Sequence, residues 1–205
     1  MTTSSSSKRA LPCFIALMII TLASGLVLGA TYLLTESRIS AQAAAAAESS
    51  RAGVLPEAAR FESADDSEWL SENALDWLYL GYDENGALVG AAAQKTVNGY
   101  GGRVEIIAGI RTDGTISGVS VGGSEFSETA GLGAKSKEPA FTDQFSGKVY
   151  GINAVKRGDD KGENDVDAIT SATITSRAVT GGINEICKAV TEYLHAAPAQ
   201  EGGAA

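Results

Sequence analysis

The sequence holds only two cysteines and one histidine in 205 residues, and this scarcity removes several functions at once. Cys13 lies at the start of a long apolar segment and Cys187 inside a helical stretch near the other end. No disulfide framework and no metal-binding cluster is therefore expected. The lone His195 sits where the last helical pattern gives way to an Ala/Gly/Pro tail. There it reads as a solvated partner of the helix dipole, and no Ser/His/Asp set for hydrolysis can be assembled around it. Positive charge is short as well: 16 Lys and Arg face 25 Asp and Glu, for a formal net charge of −9. Nucleic-acid binding is disfavoured, because neutralising phosphates needs clustered basic residues. No Gly-x-Gly-x-x-Gly separates a strand from a helix, and Ala134-Lys135-Ser136 lacks the glycine that a phosphate loop places before its lysine. Cys13 lies at the start of the apolar run instead of following it, which argues against a lipoprotein, and the absence of a Gly-Phe-x-x-x-Glu opening argues against a pilin.

What the chain does have is one long uncharged run, Leu11 to Leu34. As a helix it would be about 36 Å long, enough for a hydrocarbon core of roughly 30 Å. Signal-peptide cores are shorter, so a retained transmembrane helix over 11–34 is the expectation, although Ala41-Gln42-Ala43 offers a small-x-small cleavage pattern. Lys8 and Arg9 flank one end closely, while Arg38 and Arg51 are spread thinly beyond the other. The positive-inside rule then puts residues 1–10 in the cytoplasm and everything after the span outside it, in a single-pass (inner) cell-membrane protein. Residues 35–68 read as a stalk or linker, helix-prone up to the Val54-Leu55-Pro56 break.

From Trp69 the pattern changes to strands. Leu75–Tyr82 and Ala87–Val97 flank the turn signal Asp83-Glu84-Asn85-Gly86, and Val104–Ile110 and Thr115–Val121 flank Thr112-Asp113-Gly114. Helical segments follow near Pro139–Phe145 and over Ser176–Leu194, where Val179, Ile183, Ile186, Val190 and Leu194 recur at spacings of three and four. The expectation is an α+β domain over 69–195 with antiparallel strands and a C-terminal helix, then a disordered tail over 196–205.

Three stretches carry the candidate chemistry. Asp167-Ala168-Ile169-Thr170-Ser171-Ala172-Thr173-Ile174-Thr175-Ser176 is hydroxyl-rich and opens the last helix. Helix N-termini present unpaired N–H groups and suit a phosphate, although many ordinary helices also begin with Ser or Thr. Asn98-Gly99-Tyr100-Gly101-Gly102 and Glu128-Thr129-Ala130-Gly131-Leu132-Gly133 are glycine-rich. They are either tight connections or places where backbone approaches a flat ligand, with Tyr100 packing beside it.

Asp-x-x-Thr-Ser-Ala-Thr resembles the flavinylation motif of the FMN-binding domain family, Asp-x-x-(Ser/Thr)-Gly-Ala-Thr. The Glu128–Gly133 stretch resembles the family's Glu-Thr-Pro-Gly-Leu-Gly apart from Ala130, and Tyr100–Gly102 matches its Tyr-Gly-Gly. The resemblance implies that FMN is esterified through its phosphate to Thr173, with Asp167, Thr170, Ser171 and Ala172 as recognition positions. It also implies that Thr175 and Ser176 hold the phosphate, and that Glu128, Thr129, Gly131, Leu132, Gly133 and Tyr100 lie around the cofactor. Thr173 would be a modified residue, not a catalyst, and a separate flavin transferase would install the group from FAD with a divalent metal. One position departs from the pattern. Gly before Ala-Thr would permit positive φ without steric cost, which Ser171 does less readily. Either the backbone there does not need positive φ, or the site is altered.

With the anchor and the short length, the chain looks like the G subunits of Rnf-type complexes, which couple ferredoxin and NAD to ion pumping. That implies a membrane-anchored electron relay with other membrane and redox subunits, and lipid, as partners. Two alternatives stand: a component like the C subunit of sodium-pumping NADH:quinone reductases, or another FMN-binding redox protein; and an anchored binding or structural domain without flavin. A secreted enzyme would require cleavage near Ala43.

Overall fold

A computed structural model describes residues 7–64 and 66–196. The chain divides into two compact units, Met1–Ala47 and Glu48–Ala205. Helix α1 runs without interruption from Ser7 to Val54. Its segment Phe14–Glu36 is 23 residues long, reaches a mean hydropathy of 2.2 and has none of its surface buried, so it is long and apolar enough to cross a membrane. Its three threonine hydroxyls are satisfied internally: Thr21 donates to the Met18 carbonyl (2.9 Å), Thr31 to Val27 (2.8 Å) and Thr35 to Thr31 (2.9 Å). A lipid-facing helix needs this, since hydrocarbon offers no partner. The tail expected over 196–205 lies, beyond Ala196, outside the described residues, as does most of the segment expected in the cytoplasm.

The second unit is built on a five-stranded antiparallel meander: β1 (Arg60–Ser63), β2 (Trp77–Tyr82), β3 (Leu88–Asn98), β4 (Arg103–Arg111) and β5 (Ile116–Gly122), in spatial order β1 to β5. A short helix α2 (Ser67–Glu72) joins β1 to β2. The turns close as their composition directs. Asp83 accepts from the Asn85 and Ala87 N–H groups (2.8 Å each), and Asp113 accepts from the Thr115 N–H (2.9 Å) and hydroxyl (2.6 Å).

Two 3₁₀ turns (Gly133–Lys137 and Asp143–Phe145) flank the short helix α3 (Pro139–Thr142). A parallel pair, β6 (Ala154–Val155) with β7 (Val166–Asp167), then delivers the chain to the loop before the last helix.

That C-terminal helix, α4 (Thr173–Ala196), lies against β3 and β4. Val179, Ile183, Ile186 and Val190 are fully buried in the same core as Val104, Ile106 and Ile110. Each such side chain contributes about 1.5–3 kcal/mol on burial, which is why the amphipathic pattern is a reliable guide to the helix. Gly182 lets α4 approach closely, because a Cβ there would sit 2.6 Å from Ile106 Cδ1 and 2.8 Å from Val97 Cγ1.

The other sheet face receives the end of α1. Gly109 and Gly118 face each other across β4 and β5, and a Cβ on Gly109 would collide with the Val54 carbonyl oxygen. Leu55 is fully buried beside Gly81, where a Cβ would come within 2.7 Å of its Cδ2. Arg51 lies over the Tyr79 ring at 4.1 Å from its centroid. The second compact unit thus begins at Glu48. Residues 48–63, assigned to the stalk, supply a plug and an edge strand.

Candidate functional site

Segments far apart in sequence meet at one cavity of about 450 Å³. The turn after β3 brings Tyr100, the segment after β5 brings Glu128, Thr129, Leu132 and Gly133, and the start of α4 brings Ser171 to Thr175. A volume of this size suits a small-molecule ligand.

The α4 entrance is built as follows. The Ala172 N–H donates to the Ile169 carbonyl (3.0 Å), closing a four-residue turn, and the Ser176 N–H then makes the first helical bond, to the Ala172 carbonyl (3.0 Å). Ala172 thus occupies the N-cap position without a side chain that can cap. The N–H groups of Thr173, Ile174 and Thr175 have no intrahelical acceptor, and they sit at the positive end of the helix dipole. Thr175 adds a second polar feature. It is fully buried, lines the cavity, and its Oγ1 has no hydrogen-bond partner among the described residues. An orphaned hydroxyl beside three free N–H groups suits an anionic oxygen ligand such as a phosphate.

Ser171, the residue that departs from the glycine of the family motif, has φ of 63°. The backbone does use the left-handed region here, at the third residue of a turn where glycine is favoured. The reading in which positive φ is unnecessary is thereby overturned, and the turn closes with serine in place.

Other expected site residues fall elsewhere. Ser176 is buried behind the turn: its Oγ donates to the Ala172 carbonyl (2.9 Å) and accepts from the Ile169 N–H (2.9 Å). It braces the loop and does not line the cavity. Asp167 and Thr170 line a second cavity of about 220 Å³, together with Lys135, Gln144 and Arg157. Asp167 is paired with Lys161 at 3.1 Å, and its N–H donates to Gln144 Oε1 at 2.8 Å. Gly131 takes a positive φ of 77° in the turn between Thr129 and Leu132, without lining the first cavity.

Glu128 has a structural seat. Its Oε1 accepts from the Gly101 N–H at 3.1 Å, and a Cβ on either Gly99 or Gly133 would collide with its carboxylate. The glycines of two separate stretches therefore form one slot. Sequence reasoning missed two residues here. Ile174 lines the cavity, but its apolar side chain lies off the core stripe of α4 and 59% exposed, which was its only signal. Ser127, whose hydroxyl donates to the Gly101 carbonyl at 2.7 Å, had none.

The family model of the FMN-binding domain matches residues 99–188, a range containing all three segments. The G subunit of the Na⁺-translocating ferredoxin:NAD⁺ oxidoreductase complex of Acetobacterium woodii is 39% identical over 147 residues, covering 65% of this chain and 69% of that one. The G subunit of the ion-translocating oxidoreductase complex of Methanosarcina acetivorans is 31% identical over 201 residues, covering 97% of this chain and 100% of that one. The C subunit of the Na⁺-translocating NADH-quinone reductase of Parabacteroides distasonis, a solved structure, aligns with a TM-score of 0.48 at 24% identity, over 62% of this chain and 68% of that one. By its likeness to the two G subunits, one of them along its whole length, the chain belongs to the family of G subunits of ion-translocating oxidoreductase complexes.

Proposed function

We propose that this protein is a membrane-anchored electron-transfer subunit of an Rnf-type ion-translocating complex, carrying FMN esterified to Thr173. The observation that carries this reading is the convergence of the three motif stretches on one cavity with Thr173 at the first residue of α4. The relatives' names supply the complex: one is a subunit of a ferredoxin:NAD⁺ oxidoreductase that translocates Na⁺. When bound, the flavin supplies the electron-accepting and electron-donating chemistry.

The chain's own residues supply attachment and position. Thr173 Oγ1 forms the phosphoester: its proton leaves, the oxygen bonds to the FMN phosphorus of FAD, and AMP departs. A free threonine hydroxyl is a poor nucleophile, so a flavin transferase has to activate it. The N–H groups of Thr173 to Thr175 and the Thr175 hydroxyl hold the phosphate oxygens. Tyr100, Leu132 and Ile174 give the cavity its apolar side. A covalent link keeps the cofactor from diffusing away outside the cytoplasm, where Lys8 and Arg9 at the cytoplasmic end of the span would place the domain. Lipid around α1 and the other membrane and redox subunits of the complex are the partners.

The test is an intact mass of the protein from a host with an active flavin transferase, beside the Thr173→Ala variant. A mass gain equal to esterified FMN, lost in the variant, is expected. An unmodified wild-type mass would overturn the reading.

A further inference from the structure

Tyr100 leaves 74% of its surface exposed, yet the turn that carries it is held from both sides. The Gly101 peptide is gripped at each polar atom: its N–H donates to Glu128 Oε1 (3.1 Å) and its carbonyl accepts from Ser127 Oγ (2.7 Å). The Gly99 N–H closes the turn on the Gly102 carbonyl at 2.8 Å. The fit leaves no room for side chains. A Cβ on Gly101 would lie 2.6 Å from the Ser127 carbonyl oxygen, one on Gly102 would lie 2.8 Å from Ser127 Oγ, and one on Gly99 would strike the Glu128 carboxylate.

Ordering a turn costs conformational entropy, and an aromatic ring left in water returns nothing for it. Tyr100 has no ring contact, cation contact or hydrogen bond among the described residues, but it does line the cavity. An unpartnered aromatic carried on a held turn beside a cavity is suited to stacking on a planar ring.

We propose that Ser127 and Glu128 are positioning residues that clamp the Gly101 peptide and so hold Tyr100 as a stacking platform for the isoalloxazine ring. The proposal rests on the reading that FMN occupies this cavity. It gives Glu128, which also lines the cavity, a hold on the Gly101 N–H, and it gives Ser127 a role that no motif suggests. No bond forms or breaks in stacking.

An electron-rich phenol stacked on a photoexcited flavin quenches its emission, so the flavin's own fluorescence decay reports the platform. The experiment uses the full chain in detergent, flavinylated in its host, with flavin content checked by intact mass before each decay is recorded. Wild type should decay fast, and Tyr100→Leu, at an exposed position, should lengthen the mean lifetime several-fold. Ser127→Ala and Glu128→Ala should lengthen it partly, with a spread of lifetimes. Glu128→Gln should restore the wild-type decay, because an amide oxygen still accepts from the Gly101 N–H. A flavin-loaded Tyr100→Leu protein with the wild-type decay would overturn the proposal, as would unchanged decays in both clamp variants. Wild type without bound flavin would overturn the FMN reading and this proposal with it, and the mass separates that outcome from the others.

Discussion

Ser171→Gly should make the protein more stable, although serine stands inside the motif. Ser171 holds φ at 63°, where an L side chain crowds the following carbonyl. That conformation costs roughly 1–2 kcal/mol for a residue with a Cβ. Glycine removes the crowding but adds freedom to the unfolded chain, worth about 0.4–1 kcal/mol in the opposite direction. The Ser171 side chain is exposed and its hydroxyl has no hydrogen bond among the described residues, so nothing else is lost. The two ranges leave a net gain of about 0–1.6 kcal/mol, about 0.8 kcal/mol at their midpoints, which is roughly 2–3 °C in Tm for a domain of this size. Urea unfolding of the full chain in detergent, followed by the fluorescence of Trp69 and Trp77, would read it as a higher midpoint at unchanged slope. Ser171→Val tests the same reasoning from the other side, since a β-branched residue in this region is a genuine outlier, and its midpoint should fall. A glycine variant no more stable than wild type would refute the argument that this turn is strained.

Three further outcomes are expected. Gly109→Ala should destabilise the sheet by about 1–3 kcal/mol in the same urea assay, because the new methyl drives into the Val54 carbonyl. Lys95 is 7% exposed and its Nζ donates to the carbonyls of Asn73 (3.1 Å) and Ala74 (2.8 Å) while pairing with Glu185 at 3.0 Å. Lys95→Met should cost about 1–3 kcal/mol for the stranded carbonyls, and Glu185→Gln, at the exposed end of the pair, less than about 1 kcal/mol by urea midpoint. Glu57 is partly desolvated, which raises its pKa, but hydrogen bonds from Arg111 (2.7 and 2.9 Å) and Ser117 (2.9 Å) outweigh this and hold it below the usual range. A carboxylate lowered in the folded state contributes stability above its unfolded pKa, and that contribution disappears as the pH falls through about 4 and below. Glu57→Gln should flatten this acid limb of stability, as thermal melts across the pH range would show.

The parts of the fold that were legible are those where local pattern and burial agree. The pairs β2–β3 and β4–β5 flank recognisable Asx turns at Asp83 and Asp113, and α4 carries its core stripe at a helical period. Strand β1 was missed because Arg60-Phe61-Glu62-Ser63 is a short, charged edge with little apolar content. The β6–β7 pair is two residues on each side, too short for any periodicity. Val54-Leu55 read as a helix break, which it is, but its burial depends on glycines in three other strands. At the site, the hydroxyl-rich loop and both glycine stretches stood out, whereas the partition of the loop did not. One residue of offset along it separates side chains that face the first cavity, such as Ser171, from Thr170, which faces the second.

The seating of Val54 and Leu55 also decides where a soluble version of this protein can begin. A chain started after Pro56, at the helix break apparent in the sequence, would leave Gly81, Gly109 and Gly118 as an uncovered furrow on an open sheet face. Exposed backbone and apolar surface of that kind invites self-association. Cutting instead before Glu48 retains the plug together with Arg51 and its ring partners, so the practical boundary between anchor and domain lies inside a continuous helix.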